Sequence, residues 1–551
     1  MDYPGNSIDV DGVTYLLPAT IDELKAIIED AKTNDEVICL RGAAHSFPLI
    51  KTLEKGPKTG KKYKYIMLCK LHKVEINSTV TPPSPSNPNP SLPMPCGTVT
   101  VEAGCHLGPD PWDPTGISTL ENSLLYKLDQ AGMSLLDLGG ISHQTVGGFL
   151  STSSSGGSTQ FAFDELLLSI DIMHYGANGV EITTFKMPAD GNPDDPFFGA
   201  GVATMGLFGI IVSATFKCYP KFYIAGMQTT STVANCEIDL FGDGSSGKPS
   251  FEEFLEQKQT YPYPSDITHY PYSRILWWPQ PNVTSAVVWK ARQTDEKGAM
   301  DWASTNGVLN TYQEVPWIMD SPTPMTLGGD LLYTTMGNWP NWLKDIMGNT
   351  EQYRAIQAVV DLTFPPFVYP LIMNKLFVAP GGQKFADDWY TGLPMDNQMS
   401  DTLFPVWFTE LWIDIKQSQN VMNELNAFFS AGFENTGNFS IEIYAAKESN
   451  FWLCPAYKRD VIRIDVFWFG RNNGDPRGFY RKFWDLLAKY NYRPHWGKYL
   501  PAEDGDQGVN YLKANYPKWD DWMALREKMD PYQIFVNDYW RGHLGIPAPG
   551  K

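Results

Sequence analysis

Along the first 220 residues the hydrophobic pattern switches repeatedly between a helical and a strand period. "TIDELKAIIEDAKTN" has a threonine cap and then apolar positions three and four residues apart, which predicts an amphipathic helix over 20–34. "DEVICL" (35–40) predicts a short buried strand, and "GTVTVEAG" (97–104) alternates with the period of two that a half-buried strand requires. "TLENSLLYKLDQAG" (119–132) predicts a second helix stopped by Gly132. The Pro-rich run "STVTPPSPSNPNPSLPMP" (78–95) predicts a surface loop between strand signals.

From about residue 221 the pattern changes. Aromatic strands such as "RILWWPQ", "SAVVWKAR", "FPVWFTELWIDI" and "VIRIDVFWFG" alternate with helices such as "SQNVMNELNAFFSAG". Such a mixture predicts an α+β unit built on an antiparallel sheet. After about 490 the chain turns polar and helical again. The expected organisation is one unit over 1–220, a second over 221–490, and a segment over 491–551 that returns to the first.

Composition narrows the function. The 551 residues are 43% hydrophobic and carry a net charge of −19, so no basic surface offers itself to phosphates and a nucleic-acid partner is not expected. Seven scattered cysteines with no CxxC spacing predict neither a disulfide framework nor a metal site. The first residues show no basic and apolar leader, and the richest apolar run, 364–378, is broken by prolines, Asn374 and Lys375. The expectation is a soluble, cytoplasmic protein without a transmembrane segment.

Two stretches stand out chemically. "RGAAHS" (41–46) follows a strand, and "DLGGISHQTVGGFLSTSSSGGS" (137–158) is a run of Gly, Ser and Thr around an apolar centre. Backbone without bulky side chains can lie against a ligand and aim its N–H groups at phosphate oxygens. Neither stretch is a P-loop or a G-x-G-x-x-G fingerprint.

Taken with later motifs, these stretches resemble the vanillyl-alcohol oxidase (PCMH-type) superfamily of FAD enzymes. "RGAAHS" resembles its first flavin loop, "GGISHQTVGGFLST" its second pyrophosphate loop, and "FFGAGVATMGLFGIIVSATFKCYP" (197–220) the strand that closes the FAD domain. "IEIYAAKESNFWLCPAYKRD" (441–460) and "RPHWGK" (493–498) resemble signatures of aldonolactone and alditol oxidases, and "DPYQIFVN" (530–537) the closing motif. The middle region is similar to the substrate domain of type II, covalent cholesterol oxidases. The implied fold is α+β: a two-subdomain PCMH-type FAD-binding domain plus a cap domain on a large antiparallel sheet flanked by helices.

The resemblance implies FAD as cofactor, bonded covalently to His45. It implies cofactor contacts from Arg41, Gly42, Ala43, Ala44, Ser46, Gly139, Gly140, Ile141, Ser142, Gln144, Thr145, Gly147, Gly148, Ser151, Thr152, Gly209, Ile210, Ile211 and Asn537. The family's second anchor, a cysteine before "TVGG", is absent, and Ser142 and His143 stand there. Glycine at 139, where related dehydrogenases carry alanine, is compatible with oxygen reactivity.

Glu442 matches the acid of the family's Glu-x-Arg. Strand alternation places it on one face with Tyr444, which occupies the arginine's position and brings no positive charge. Lys498 closes "RPHWGK", where an ammonium would stabilise charge arriving with a hydride. Thr145 matches a substrate-contacting serine, with a backbone-capping hydroxyl as the other reading. Asp465 and Phe467 fall where alditol oxidases offer histidine and threonine to substrate. His495 reads as structural.

The implied reaction removes hydride from a C–H beside a hydroxyl, with O2 reduced to H2O2. Glu442 and Lys498, with Tyr444 as a third, are the candidates to take the hydroxyl proton. The alcohol substrate is a sugar, lactone or polyol, or else a bulky hydrophobic alcohol. An acceptor other than O2, and a flavin-binding protein without turnover, also stay open.

Overall fold

A computed structural model describes residues 6–58, 61–78, 92–264, 268–308, 311–312, 369–378, 380–397, 406–437, 439–470 and 475–548. Most of the Pro-rich run lies outside the described residues.

Each helix and strand predicted above forms where its pattern repeats. Helix α1 (Ile21–Thr33) starts at Thr20, whose side chain accepts a hydrogen bond from the Glu23 N–H, and buries Leu24, Ile27, Ile28 and Ala31. Each of the leucine and isoleucine side chains removed from water stabilises the fold by roughly 1.5–3 kcal/mol. The second predicted helix is shorter than its pattern: α3 (Leu124–Gln130) begins after Ser123, because 119–123 are a turn held by Ser123 and Asn122. Between them in the chain, α2 (Phe47–Leu53) follows the "RGAAHS" stretch directly.

The strands before residue 221 build two sheets. Strands β1 (Ser7–Val10), β2 (Val13–Leu16), β3 (Val37–Arg41) and β4 (Tyr63–Met67) form a small mixed sheet in the order β1-β2-β4-β3. Strands β5 (Val74–Asn77), β6 (Gly97–Glu102), β7 (Met133–Ser134), β8 (Leu167–Gly176), β9 (Gly179–Lys186) and β10 (Ile210–Pro220) form the second, ordered β5-β6-β10-β8-β9, with β7 paired to β10. Helix α4 (Val146–Ser151) packs on β6 and β10.

The third sheet holds β11 (Tyr223–Thr232), β12 (Tyr272–Trp278), β13 (Ser285–Thr294), β14 (Gly381–Asp388), β15 (Val406–Asp414), β16 (Ile441–Ala446), β17 (Val461–Phe469) and β18 (Arg493–Pro494). Its order is β14-β11-β13-β12-β16-β17-β15-β18, and every pairing is antiparallel.

Alternation gives this sheet two different faces. Ile275, Leu411, Ile413, Ile441, Ile443, Ile462 and Ile464 point to one side and pack on Val421, Leu425 and Phe429 of the helix 418–430 and on Phe483 and Leu487 of the helix 476–487. The other face is buried but polar, and it carries Glu410, Glu442, Arg463 and Asp465. The C-terminal segment ties sheets together: the Ile38 N–H donates to the Ile534 carbonyl at 2.7 Å, and the His495 N–H donates to the Glu410 carbonyl at 3.0 Å. Among the described residues no helix is long and apolar enough to cross a membrane, no His/Cys/Asp/Glu cluster could hold a metal ion, and all seven cysteines are free.

Candidate active site

A cleft runs between the first two sheets and reaches the third. It encloses about 1360 Å³ of atom-free space including its open mouth. The residues 41–46 line one wall, and Gln144, Thr145, Gly147, Gly148, Ser151 and Thr152 line the other. Gly209 and Ile211 close one end, and His495, Gly497 and Lys498 reach the other.

The bare backbone is required here. A Cβ on Gly42 would sit 2.6 Å from Thr145 Oγ1, and one on Gly104 would sit 1.8 Å from the Leu68 carbonyl oxygen. Ala44 takes a left-handed φ of 64°, a conformation that larger side chains resist and that turns the loop towards His45. Thr145 serves as the cap of α4, its Oγ1 accepting from the Gly148 N–H at 3.2 Å, while also lining the cleft.

Polar atoms in and beside this cleft have no hydrogen-bond partner among the described residues: His45 Nε2, Gln144 Oε1, Arg41 Nε and His143 Nδ1 are buried and unsatisfied. Buried polar groups are ordinarily paired, so such a set marks a ligand berth. The His45 and His143 rings lie 5.7 Å apart. Burial holds the His45 imidazole down to about 3, with His143 and Lys498 adding to the effect, so the ring is neutral at physiological pH. An open, bare-walled berth with unpaired donors, acceptors and a neutral imidazole fits a flavin nucleotide.

Six expected cofactor residues do not line the cleft. Gly139 faces the Phe149 ring, and the loop 140–142 is bound to 396–397: the Asp396 N–H donates to the Gly140 carbonyl at 2.7 Å, and the Ser142 N–H to Asn397 Oδ1 at 2.7 Å. Ile141 belongs to the same loop. Ile210 points into the core on the side of β10 opposite Gly209 and Ile211. Asn537 caps the helix Asp538–Leu544 by accepting from the Trp540 N–H at 3.0 Å.

At the end nearest the third sheet, register brings the remaining candidates together. Glu442 lies opposite Asp465, and Asp465 opposite Glu410, so three buried acids form a row across β16, β17 and β15. Tyr444, Arg463 and Trp412 form the adjacent row on the same face. Tyr444 brings no charge of its own, and a cation from the next strand stands beside it. The Arg463 guanidinium stacks 4.0 Å from the Tyr444 ring centre and donates to its hydroxyl at 2.9 Å.

Arg463 also binds Glu410 through Nε at 2.7 Å and Nη2 at 2.6 Å, and the carbonyls of Ser155 and Gly156 at 2.9 and 3.0 Å. Glu442 receives Arg274 at 3.4 Å, a guanidinium it shares with Asp396. Burial first and the Asp396 charge second push the Glu442 carboxyl up to about 8. Phe467 lies in an aromatic group, 5.0 Å from Phe408 and 5.6 Å from Phe439.

Lys498 joins the two places. Its ammonium sits 3.7 Å over the Phe408 ring, acts on His45 across the cleft, and feels the charges of Glu410, Asp465 and Glu442. Burial lowers its proton affinity, and those acids oppose the change. His495 lines the cleft, and its Nε2 lies 3.4 Å from Ser154 Oγ. Sequence reading missed Arg463, Arg274 and Glu410. The polar pair at alternate positions in "VIRIDVFWF" was the available signal for Arg463.

Comparison with known proteins agrees with this architecture. A profile of the D-arabinono-1,4-lactone oxidase family matches residues 245–543. The chain is 24% identical to D-arabinono-1,4-lactone oxidase of Yarrowia lipolytica, an alignment covering 97% of this chain and 94% of the relative. It is 20% identical to L-gulonolactone oxidase of Mus musculus, covering 80% of each. Cholesterol oxidase from B. sterolicum superposes with a TM-score of 0.65 at 16% identity, covering 97% of this chain and 94% of that structure.

The fold and the cleft thus define a PCMH-type flavoenzyme, an FAD-dependent oxidoreductase acting on CH–OH donors. The chain belongs to the D-arabinono-1,4-lactone oxidase family.

Proposed function

We propose that the chain oxidises a hydroxyl-bearing carbon of an aldonolactone and passes the electrons to O2. The observation that carries this reading is the position of Lys498, which stands between the cleft and the acid row and so brings a cofactor berth and a proton-accepting face together. Family membership and the lactone oxidases among the relatives support the substrate class.

FAD held by these residues would supply a two-electron hydride acceptor, with O2 reduced to H2O2. Glu442 takes the hydroxyl proton, its carboxylate held by Arg274. Lys498 places a positive charge where negative charge accumulates as hydride leaves the substrate. Thr145 and the 41–46 loop hold the cofactor, and His45 bonds it covalently. That bond is supported by an Nε2 that is buried, unpartnered and uncharged. Residues 1–220 and 491–551 form the cofactor side and 221–490 the substrate side.

The test is anaerobic mixing. D-arabinono- or L-gulono-1,4-lactone is expected to bleach the flavin, and bleaching by a sterol with no response to either lactone would overturn the substrate class. The aromatic group Phe408, Phe467 and Phe439 favours that second reading, a bulky hydrophobic alcohol. Acid precipitation is expected to leave the yellow colour in the pellet, and His45→Ala to release it. Substrate-driven bleaching without peroxide would replace O2 by another acceptor.

A further inference from the structure

Three carboxyl groups directly opposite one another on one buried sheet face are unfavourable if all are ionised, because like charges in register repel and burial removes the water that would screen them. The partners show how the row avoids this. Glu410 receives Arg463 through two nitrogens and the Trp412 indole N–H at 2.6 Å. Glu442 receives Arg274. Asp465 receives neither guanidinium.

The five N–H bonds of Arg463 are accounted for by two contacts to Glu410, the Ser155 and Gly156 carbonyls, and the Tyr444 hydroxyl. Among the described residues, Asp465 Oδ2 accepts only from the Tyr444 hydroxyl, at 3.1 Å. Its Oδ1 is buried without a partner, in a residue 1% exposed. An unpartnered buried carboxyl oxygen at a substrate-side face is a group awaiting a ligand atom.

We infer that Asp465 is a neutral carboxylic acid that donates a hydrogen bond from Oδ1 to an oxygen of the bound substrate, leaving Glu442 as the ionisable acid of the row. The inference rests on Glu442 as the base for a bound alcohol. In the reaction the substrate C–H bond breaks and its electron pair leaves as hydride to the flavin. The hydroxyl O–H bond breaks and its proton goes to Glu442 as the C=O bond forms. The Asp465 proton stays in place and orients the substrate through a neighbouring oxygen. The charged and titratable groups acting on Asp465 are Glu410, Glu442, Tyr444, Arg463 and Lys498. Burial, Glu410 and Glu442 all favour its neutral form, and Arg463 and Lys498 oppose it less strongly.

The test uses the flavin-loaded enzyme without substrate. Infrared difference spectra at about pH 10, where Glu442 is ionised, between wild type and Asp465→Asn are expected to show the C=O stretch of a neutral carboxylic acid, shifted in D2O and retained in Glu442→Gln. A band lost in Glu442→Gln and kept in Asp465→Asn would place the proton on Glu442 and overturn the inference. So would the absence of any Asp465-dependent band. This measurement decides Asp465 even if no lactone bleaches the flavin. Kinetics supply the second arm. Asp465→Asn keeps a donor and is expected to lose about tenfold in kcat/KM, against roughly 100-fold or more for Asp465→Ala. The acid limb of its pH profile is expected to stay in place, because one neutral group replaces another. A shift of that limb to lower pH by a unit or more would mean that Asp465 had been ionised, and would overturn the inference.

Discussion

The cleft and the acid row are built in opposite ways. The cleft is made of short contiguous stretches, 41–46 and 144–152, whose small residues let backbone approach a ligand closely. The row is made of single side chains from β15, β16 and β17, separated by tens of residues and brought together only by register. A cleft of the first kind tolerates distant change but not local bulk. A row of the second kind fails when one charge loses its partner.

The largest expected effect comes from the row. Glu442→Gln should lower the rate of anaerobic flavin reduction by roughly 10²–10⁴, the range a positioned general base supplies, while the bound flavin spectrum stays intact. In the wild type kcat/KM should rise with pH and level off above about 8, because the base acts only when ionised. It should fall again at higher pH as Lys498, its proton affinity lowered by burial, loses its charge. Loss of flavin together with activity in Glu442→Gln would erase the distinction between the two regions.

Next in size is Arg463→Met. Removing one partner of a buried ion pair strands Glu410, and about 3–5 kcal/mol of stability should be lost by denaturant unfolding. A change below about 1 kcal/mol would show that the row is hydrated rather than dry.

Acid separates the regions by sign. His143, buried beside the cleft, is held down to about 4 by burial, whereas an unfolded histidine protonates near 6.5. The unfolded chain therefore binds a proton that the folded chain refuses, and stability falls as pH drops from about 6.5 towards 4, by up to roughly 1.4 kcal/mol per pH unit. Glu442, pushed up to about 8, works the other way: the folded state holds a proton that the unfolded carboxyl has lost. Its contribution is present at low pH and fades as pH rises through 8. His143→Gln should remove a rise in stability between about pH 4 and 6.5, and Glu442→Gln a fall between about pH 4.5 and 8.

The smallest effect tests the boundary of the cleft. Asn537→Ala should cost about 1 kcal/mol, the usual worth of a helix cap, with no change in the flavin spectrum. A shifted spectrum would return Asn537 to the cofactor.

Much of the cleft wall was legible because its requirement is local. Small residues after a strand, "RGAAHS" and "TVGG", state a close backbone approach wherever the chain goes next. The departures arise where a loop or strand has two sides: Gly139–Ser142 turn towards 396–397, and Ile210 alternates away from Gly209 and Ile211. The substrate side was legible only in part. Alternation put Glu442 and Tyr444 on one face, yet nothing local marks Arg463 as the neighbour of Tyr444.

By itself the sequence determined the helices and strands, the bare-walled loops and the histidine beside them, since periodicity and side-chain size act between residues close in the chain. Only the tertiary structure decided that the position lacking the family's arginine receives a guanidinium from the next strand, and that three acids stand in one row. Both follow from strand register, which couples residues far apart in sequence and sets which charges must share a proton.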